Sequence, residues 1–149
     1  MLRSLRAAGH AMTRRIALRG IVEGSARGPL LPSREAISFL GDVDIRSGRV
    51  VGDLPSVRGR SLAGVVLVMP YTRGSAGAWR FLHQLFRHGN APAAIVSGTL
   101  PDPSVVQGAI LSGIPVACDP AEDPWPLLRD GAQASLVVEE DRAVLELDG

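Results

Sequence analysis

The stretch Val65-Val66-Leu67-Val68-Met69-Pro70-Tyr71-Thr72-Arg73-Gly74-Ser75-Ala76-Gly77-Ala78-Trp79 decides the fold. Its first five residues are apolar and three of them are Val, which suits a strand covered on both faces. Pro70 ends that strand because it has no N–H to offer a ladder. Gly74 and Gly77 are expected to let the backbone turn tightly, and Ser75 stands where a helix N-cap is expected. A helix start there brings free N–H groups and the positive end of a helix dipole beside a hydroxyl and an Arg. Such a place can hold an anion or act on a carboxylate.

After the turn, Ala78, Leu82, Leu85 and Phe86 recur at helical spacing, and Gly89-Asn90 closes the helix. A second buried strand is expected over 91–96. A second helix starts at Asp102-Pro103-Ser104, with Val105, Val106, Ala109 and Ile110 as its packed face and Gly113 as its stop. Residues 114–118 read as a third strand, with Pro115 at an edge or a strand start. Strand–helix–strand–helix–strand favours parallel pairing with right-handed crossovers.

The flanks read as β. A first strand is expected over 16–22, a Gly- and Pro-rich loop over 24–29, and short strands over 36–40 and 49–51 separated by turns at 41–44 and 47–48. Residues 119–128 read as a loop with one turn of helix. A closing hairpin pairs 134–138 with 143–147 and turns at Glu139-Glu140-Asp141-Arg142. The expected fold class is α/β: one domain over 16–149 with central, mostly parallel strands and two helices, flanked by β hairpins. Residues 1–15 hold four Arg and no acid. They read as a loose N-terminal extension, or as a start placed upstream of Met12, because they lack the apolar centre of a secretory signal.

A chain of 149 residues suffices for one well-cored domain. The hydrophobic fraction of 46% and charged fraction of 21% suit a globular protein, and the 4% of aromatics leaves the core to aliphatic residues. A net charge of +1 argues against a nucleic-acid partner. All 16 basic residues are Arg, so no Lys can form a Schiff base or act as a general base. The one Cys, Cys118, excludes an internal disulfide and cannot build a metal or iron–sulfur site alone. No apolar run approaches the roughly 18 residues of a membrane span, so a cytoplasmic protein without a membrane partner is expected.

Ser38-Phe39, Gly41-Asp42-Val43-Asp44, Gly48-Arg49-Val50 and Leu62 through Ser75 occur in an order that resembles the small subunit of the aconitase X family. Ala91-Pro92-Ala93-Ala94-Ile95-Val96 and Gly108 through Val116 continue the likeness over nearly the whole chain. The most specific element is Pro70 followed by Arg73-Gly74-Ser75. The resemblance implies a swivelling β/β/α domain that docks on a large aconitase-like subunit, the two forming a hydro-lyase that dehydrates a small hydroxy acid. It implies Ser75 as the base that takes the substrate proton. The iron–sulfur cluster or metal ion is then expected in the large subunit, with no cofactor bound by this chain. Two substrates are implied, cis-3-hydroxy-L-proline and mevalonate 5-phosphate, and the GC-rich composition slightly favours the first. The chain departs from the family at Leu40-Gly41-Asp42-Val43-Asp44-Ile45, where Trp-Gly-Gly-Val-Asp-Pro is usual. It also departs at Ala76, often Ser, and at Pro55-Ser56, where His-Pro is common.

Proton removal beside a carboxylate loads negative charge onto the carboxylate oxygens, so donors aimed at that charge matter most. Arg73 offers a planar fork for a carboxylate or phosphate, and the helix start expected after Gly74 offers backbone N–H groups; Arg73 and Gly74 are candidate substrate-binding residues. Ser75 as a plain N-cap is the competing reading of the same residue. A non-catalytic module that binds a partner protein or an anionic ligand is the competing reading of the chain. His10 lies in the N-terminal extension, His83 and His88 are expected to be surface or interface residues, Asp42 and Asp44 turn formers, and Cys118 a buried apolar side chain.

Overall fold

The computed structural model describes residues 13–148. Ten elements follow one another: β1 (Arg14–Val22), β2 (Gly24–Pro32), β3 (Val66–Met69), α1 (Ala78–Arg87), β4 (Ala94–Ser97), α2 (Pro103–Ser112), β5 (Val116–Cys118), a single 3₁₀ turn at Trp125–Leu127, β6 (Gln133–Glu139) and β7 (Arg142–Leu147). The strands close into a barrel in the order β1-β5-β4-β3-β2-β6-β7. β2, β3, β4 and β5 run parallel, while β1, β6 and β7 pair antiparallel and complete the ring. The expected mixed α/β architecture is therefore present, with its flanking β elements joined to the central strands in one closed sheet.

Two cores lie on the two faces of that sheet. Val66 and Val68 of β3 belong to the inner core, with Ile16, Leu30, Leu136 and Leu145. Their neighbours Leu67 and Met69 belong to an outer core built with the helices, through Leu82, Leu85, Val105 and Ala109. Side chains alternate along a strand, so a strand with a core on each side must be apolar throughout. This is why the Val65 to Met69 run carries no polar residue.

Several expected elements differ. Gly24–Pro32 is a nine-residue strand where a loop was expected. Its first part pairs with β6 and its last three residues pair with β3. Each part thus has one ladder partner, and a proline or glycine is tolerable on the open side. The expected strands at 36–40 and 49–51 are instead turns with isolated bridges, Ser38 to Arg73, Val43 to Val50 and Arg49 to Ser61. That long excursion drapes Ile37, Phe39, Val50, Leu54, Val57 and Leu62 over the outer core. Residues 1–12 of the expected N-terminal extension lie outside the described residues, and Arg14 and Arg15 already belong to β1. On the helices, Phe86 and Ile110 face outward, at 47% and 62% exposure, because Gly108 brings α2 against Trp79 and Leu82 of α1 along a different face. Pro115 precedes β5, which is an inner strand between β1 and β4. The 3₁₀ turn and the closing hairpin occur where expected. Among the described residues no helix is long and apolar enough to cross a membrane.

Candidate active site

Parallel strands deliver their following loops to one end of a sheet, which is where α/β proteins place their chemistry. Here β3 ends at Met69 and the segment Pro70–Gly77 crosses that end before α1 begins. The loop after β4 lies against it so closely that a Cβ on Gly98 would stand 2.4 Å from the Pro70 carbonyl oxygen. The loop after β2 meets it from the other side, with Ser38 bridged to Arg73. Arg73, Gly74 and Ser75 are all exposed on this loop.

The Arg73 guanidinium lies 3.9 Å from the Asp42 carboxylate and is 57% exposed, a loose contact that leaves it free to turn to a ligand. Asp42 is more than the turn former expected of it. The Ser38 N–H donates to its Oδ2 at 2.8 Å, and Gly52 leaves room for the carboxylate, since a Cβ there would meet Oδ1 at 2.3 Å. Asp44 serves its own turn. The Ser47 hydroxyl, then the Ser47 N–H, hold its carboxyl below the usual range.

Ser75 is not the N-cap of α1. Gly77 occupies that position with helical dihedrals, φ −95° and ψ 0°, and no side chain caps the helix. The first helical N–H groups are engaged internally: Ala78 donates to the Ser75 carbonyl at 3.0 Å, Trp79 to the Ser104 hydroxyl at 3.0 Å and Arg80 to the Gly77 carbonyl at 3.1 Å. The N–H groups of Ala78, Trp79 and Arg80 are thereby taken, and the donors left for an anion lie before the helix, foremost the exposed Arg73 guanidinium. Gly74 and Gly77 are not at positive φ either. Gly74 is demanded by packing: a Cβ there would sit 2.5 Å from the Asp102 Cβ.

Two residues absent from the expected site are brought to it. Thr72 is buried and its hydroxyl donates to Asp102 Oδ2 at 2.6 Å, while the Asp102 N–H donates to the Thr72 hydroxyl at 3.0 Å. Thirty residues separate the two, so no local spacing betrays the pair. The one available hint is a polar Thr immediately after a wholly apolar strand. His83 and His88 stay away from the loop's chemistry: His83 Nδ1 lies 3.2 Å from the Ser112 hydroxyl, and His88 Nδ1 lies 2.9 Å from the Gln84 carbonyl. His10 lies outside the described residues.

Among the described residues the donors do not suit a metal or iron–sulfur cluster. Cys118 is fully buried, and burial together with the neighbouring Asp119 pushes its thiol up to about 11, the reverse of what a thiolate ligand needs. Among the described residues no three His, Cys, Asp or Glu side chains converge on one point.

The aconitase X swivel domain family matches residues 15–147. This chain belongs to that family. The phosphomevalonate dehydratase small subunit of Methanothermobacter thermautotrophicus is 38% identical over 124 residues, covering 83% of this chain and 94% of that protein. The small subunit of the same name from Methanosarcina mazei is 43% identical over 113 residues, covering 76% and 78%. The crystal structure of the holo-form of aconitase X from Thermococcus kodakaraensis superposes with a TM-score of 0.78 at 31% identity, covering 89% of this chain and 98% of that one. The swivel domain thus spans nearly the entire described chain, with the Arg73-Gly74-Ser75 loop at the carboxyl end of its parallel strands.

Proposed function

We propose that this chain is the small subunit of a two-chain aconitase X-type hydro-lyase, in which Ser75 takes a proton from a small hydroxy acid. The observation that carries the reading is the state of Ser75: an exposed hydroxyl on a tightly held loop that caps no helix. The competing role as an N-cap is absent, which supports a chemical role for the hydroxyl. Arg73, two positions away, binds the substrate carboxylate or phosphate, and Gly74 beside it lets the loop pack against Asp102. A serine hydroxyl is a weak base at neutral pH and needs positive charge nearby to lose its proton. Arg73 supplies such charge from this chain. The large aconitase-like chain supplies the rest of the site, including any iron–sulfur cluster or metal ion, for which the described residues of this chain offer no ligand cluster. The two chains form a heterodimer at work in the cytoplasm.

Mevalonate 5-phosphate is the first substrate to assay, on the strength of the relatives named for phosphomevalonate. The composition that favours cis-3-hydroxy-L-proline has no counterpart in the site geometry, and that acid is the second substrate.

The test is co-expression with an aconitase-like large chain, followed by a dehydration assay on both acids. Turnover by the pair and none by this chain alone is expected, and Ser75→Ala is expected to lower kcat by about 10²–10⁴. Wild-type turnover of Ser75→Ala removes the proposed base. Turnover by this chain alone removes the two-chain reading, and no turnover of either acid by the pair leaves a non-catalytic binding module.

A further inference from the structure

The first turn of α2 grips the Ser75 loop at both ends. At the start of the loop, Thr72 and Asp102 exchange two hydrogen bonds, 2.6 Å from hydroxyl to carboxylate and 3.0 Å from the Asp102 N–H to the hydroxyl. The Asp102 side chain also lies directly under Gly74, where a Cβ would meet its Cβ at 2.5 Å and its Cγ at 2.6 Å. At the far end, the Ser104 hydroxyl accepts the Trp79 N–H at 3.0 Å and donates to the Ala76 carbonyl at 3.3 Å. Ser75 is the exposed residue between these grips.

Asp102 is also the N-cap residue of α2, and aspartate there ordinarily accepts a hydrogen bond from its own helix. In this chain it makes no such bond. Its carboxylate turns instead to Thr72, across 30 residues. A carboxylate that forgoes its own helix to fix a loop on a neighbouring strand serves the loop.

We propose that Asp102 and Thr72 are positioning residues that set the location of Ser75 relative to the substrate. The inference rests on the reading of Ser75 as the base. A displacement of about 1 Å in a reacting group can cost on the order of 100-fold in rate, and a two-bond clasp three positions before Ser75 controls displacements of that size. Thr72 and Gly74 flank Arg73, so loss of the clasp also disturbs substrate binding, with the larger loss falling on kcat.

The experiment uses the two-chain complex with mevalonate 5-phosphate. Thr72→Val keeps the shape of the side chain and removes both bonds; Asp102→Ala removes the carboxylate without removing a helix cap bond. Each is expected to lower kcat about 10- to 100-fold, with a rise in KM smaller than the fall in kcat. Thr72→Ser, which restores the hydroxyl, is expected to return kcat to near the wild-type value, and Asp102→Asn to recover part of it. Hydrogen exchange of the 72–77 segment in the full chain is expected to quicken in Thr72→Val and Asp102→Ala and to stay slow in Thr72→Ser. Wild-type kcat in Thr72→Val and Asp102→Ala, alongside an inactive Ser75→Ala, overturns the positioning role. So does a loss in Thr72→Ser as large as in Thr72→Val. Wild-type activity in Ser75→Ala overturns the functional reading instead, and unchanged exchange in Thr72→Val then overturns the clasp itself.

Discussion

Gly74 and Gly77 sit three residues apart in one loop and answer to different constraints. Gly74 has Asp102 against its Cα, so Gly74→Ala must push the Asp102 stem aside and disturb its bond to Thr72. Gly77 has nothing within 4 Å of where a Cβ would go, and its backbone is already helical. Glycine is preferred to alanine at an N-cap whose backbone is non-helical. With the helical dihedrals found here, the smaller conformational freedom of an unfolded chain carrying Ala should outweigh that preference. Gly77→Ala is expected to raise unfolding free energy by about 0.4–1 kcal/mol, measured by urea denaturation, while Gly74→Ala lowers turnover of the two-chain complex. At this scale the sequence discloses Arg73, Gly74 and Ser75 as one exposed group, because motif and loop chemistry are local. Their supports are not disclosed: Thr72 and Asp102 each look ordinary until the fold brings residue 72 to residue 102.

Among the elements, β5 shows how burial converts into pH dependence. Its last residue, Cys118, is fully buried, and its thiol moves from an ordinary value near 9 up to about 11, chiefly because burial disfavours the thiolate. The folded chain therefore holds that proton to higher pH than the unfolded chain does. The stabilisation is complete below about pH 9 and is lost as pH climbs to about 11, a difference of roughly 2–3 kcal/mol. Urea midpoints measured at pH 8 and pH 10.5 should fall between the two, and Cys118→Ala should remove that part of the fall. β2 makes the opposite point about reading elements. Gly24, Gly28, Pro29 and Pro32 all speak for a loop, and local propensity has no means to overrule them. Long-range pairing does: β6 takes one part of the strand and β3 the other, and Gly28 lies so near Gly64 that a Cβ would stand 2.2 Å from its carbonyl oxygen. The helices and the all-apolar β3, whose signals are periodic and local, are where the sequence places them.

For the whole molecule, two cores share one sheet, and the inner one is enclosed by every strand. Leu136 on β6 is fully buried in it, with neighbours fixed by the ring of ladders. Leu136→Ala is expected to cost about 2–5 kcal/mol, read as a lower urea midpoint with the slope unchanged, because an enclosed barrel cannot collapse far into the space left. The closure of that ring also limits how another protein can take hold. An open sheet offers a partner its last strand as a template, and many complexes are built by strand addition at such an edge. β1 and β7 pair with one another here, so the described sheet has no such template. A large subunit docking on the described sheet would recognise side chains and loop shape, with exposed Tyr71 on the Arg73 loop and exposed Leu100 on the loop after β4 as apolar contacts. A contact made in this way can form and release without unzipping any backbone ladder, so the proposed two-chain complex can be reversible.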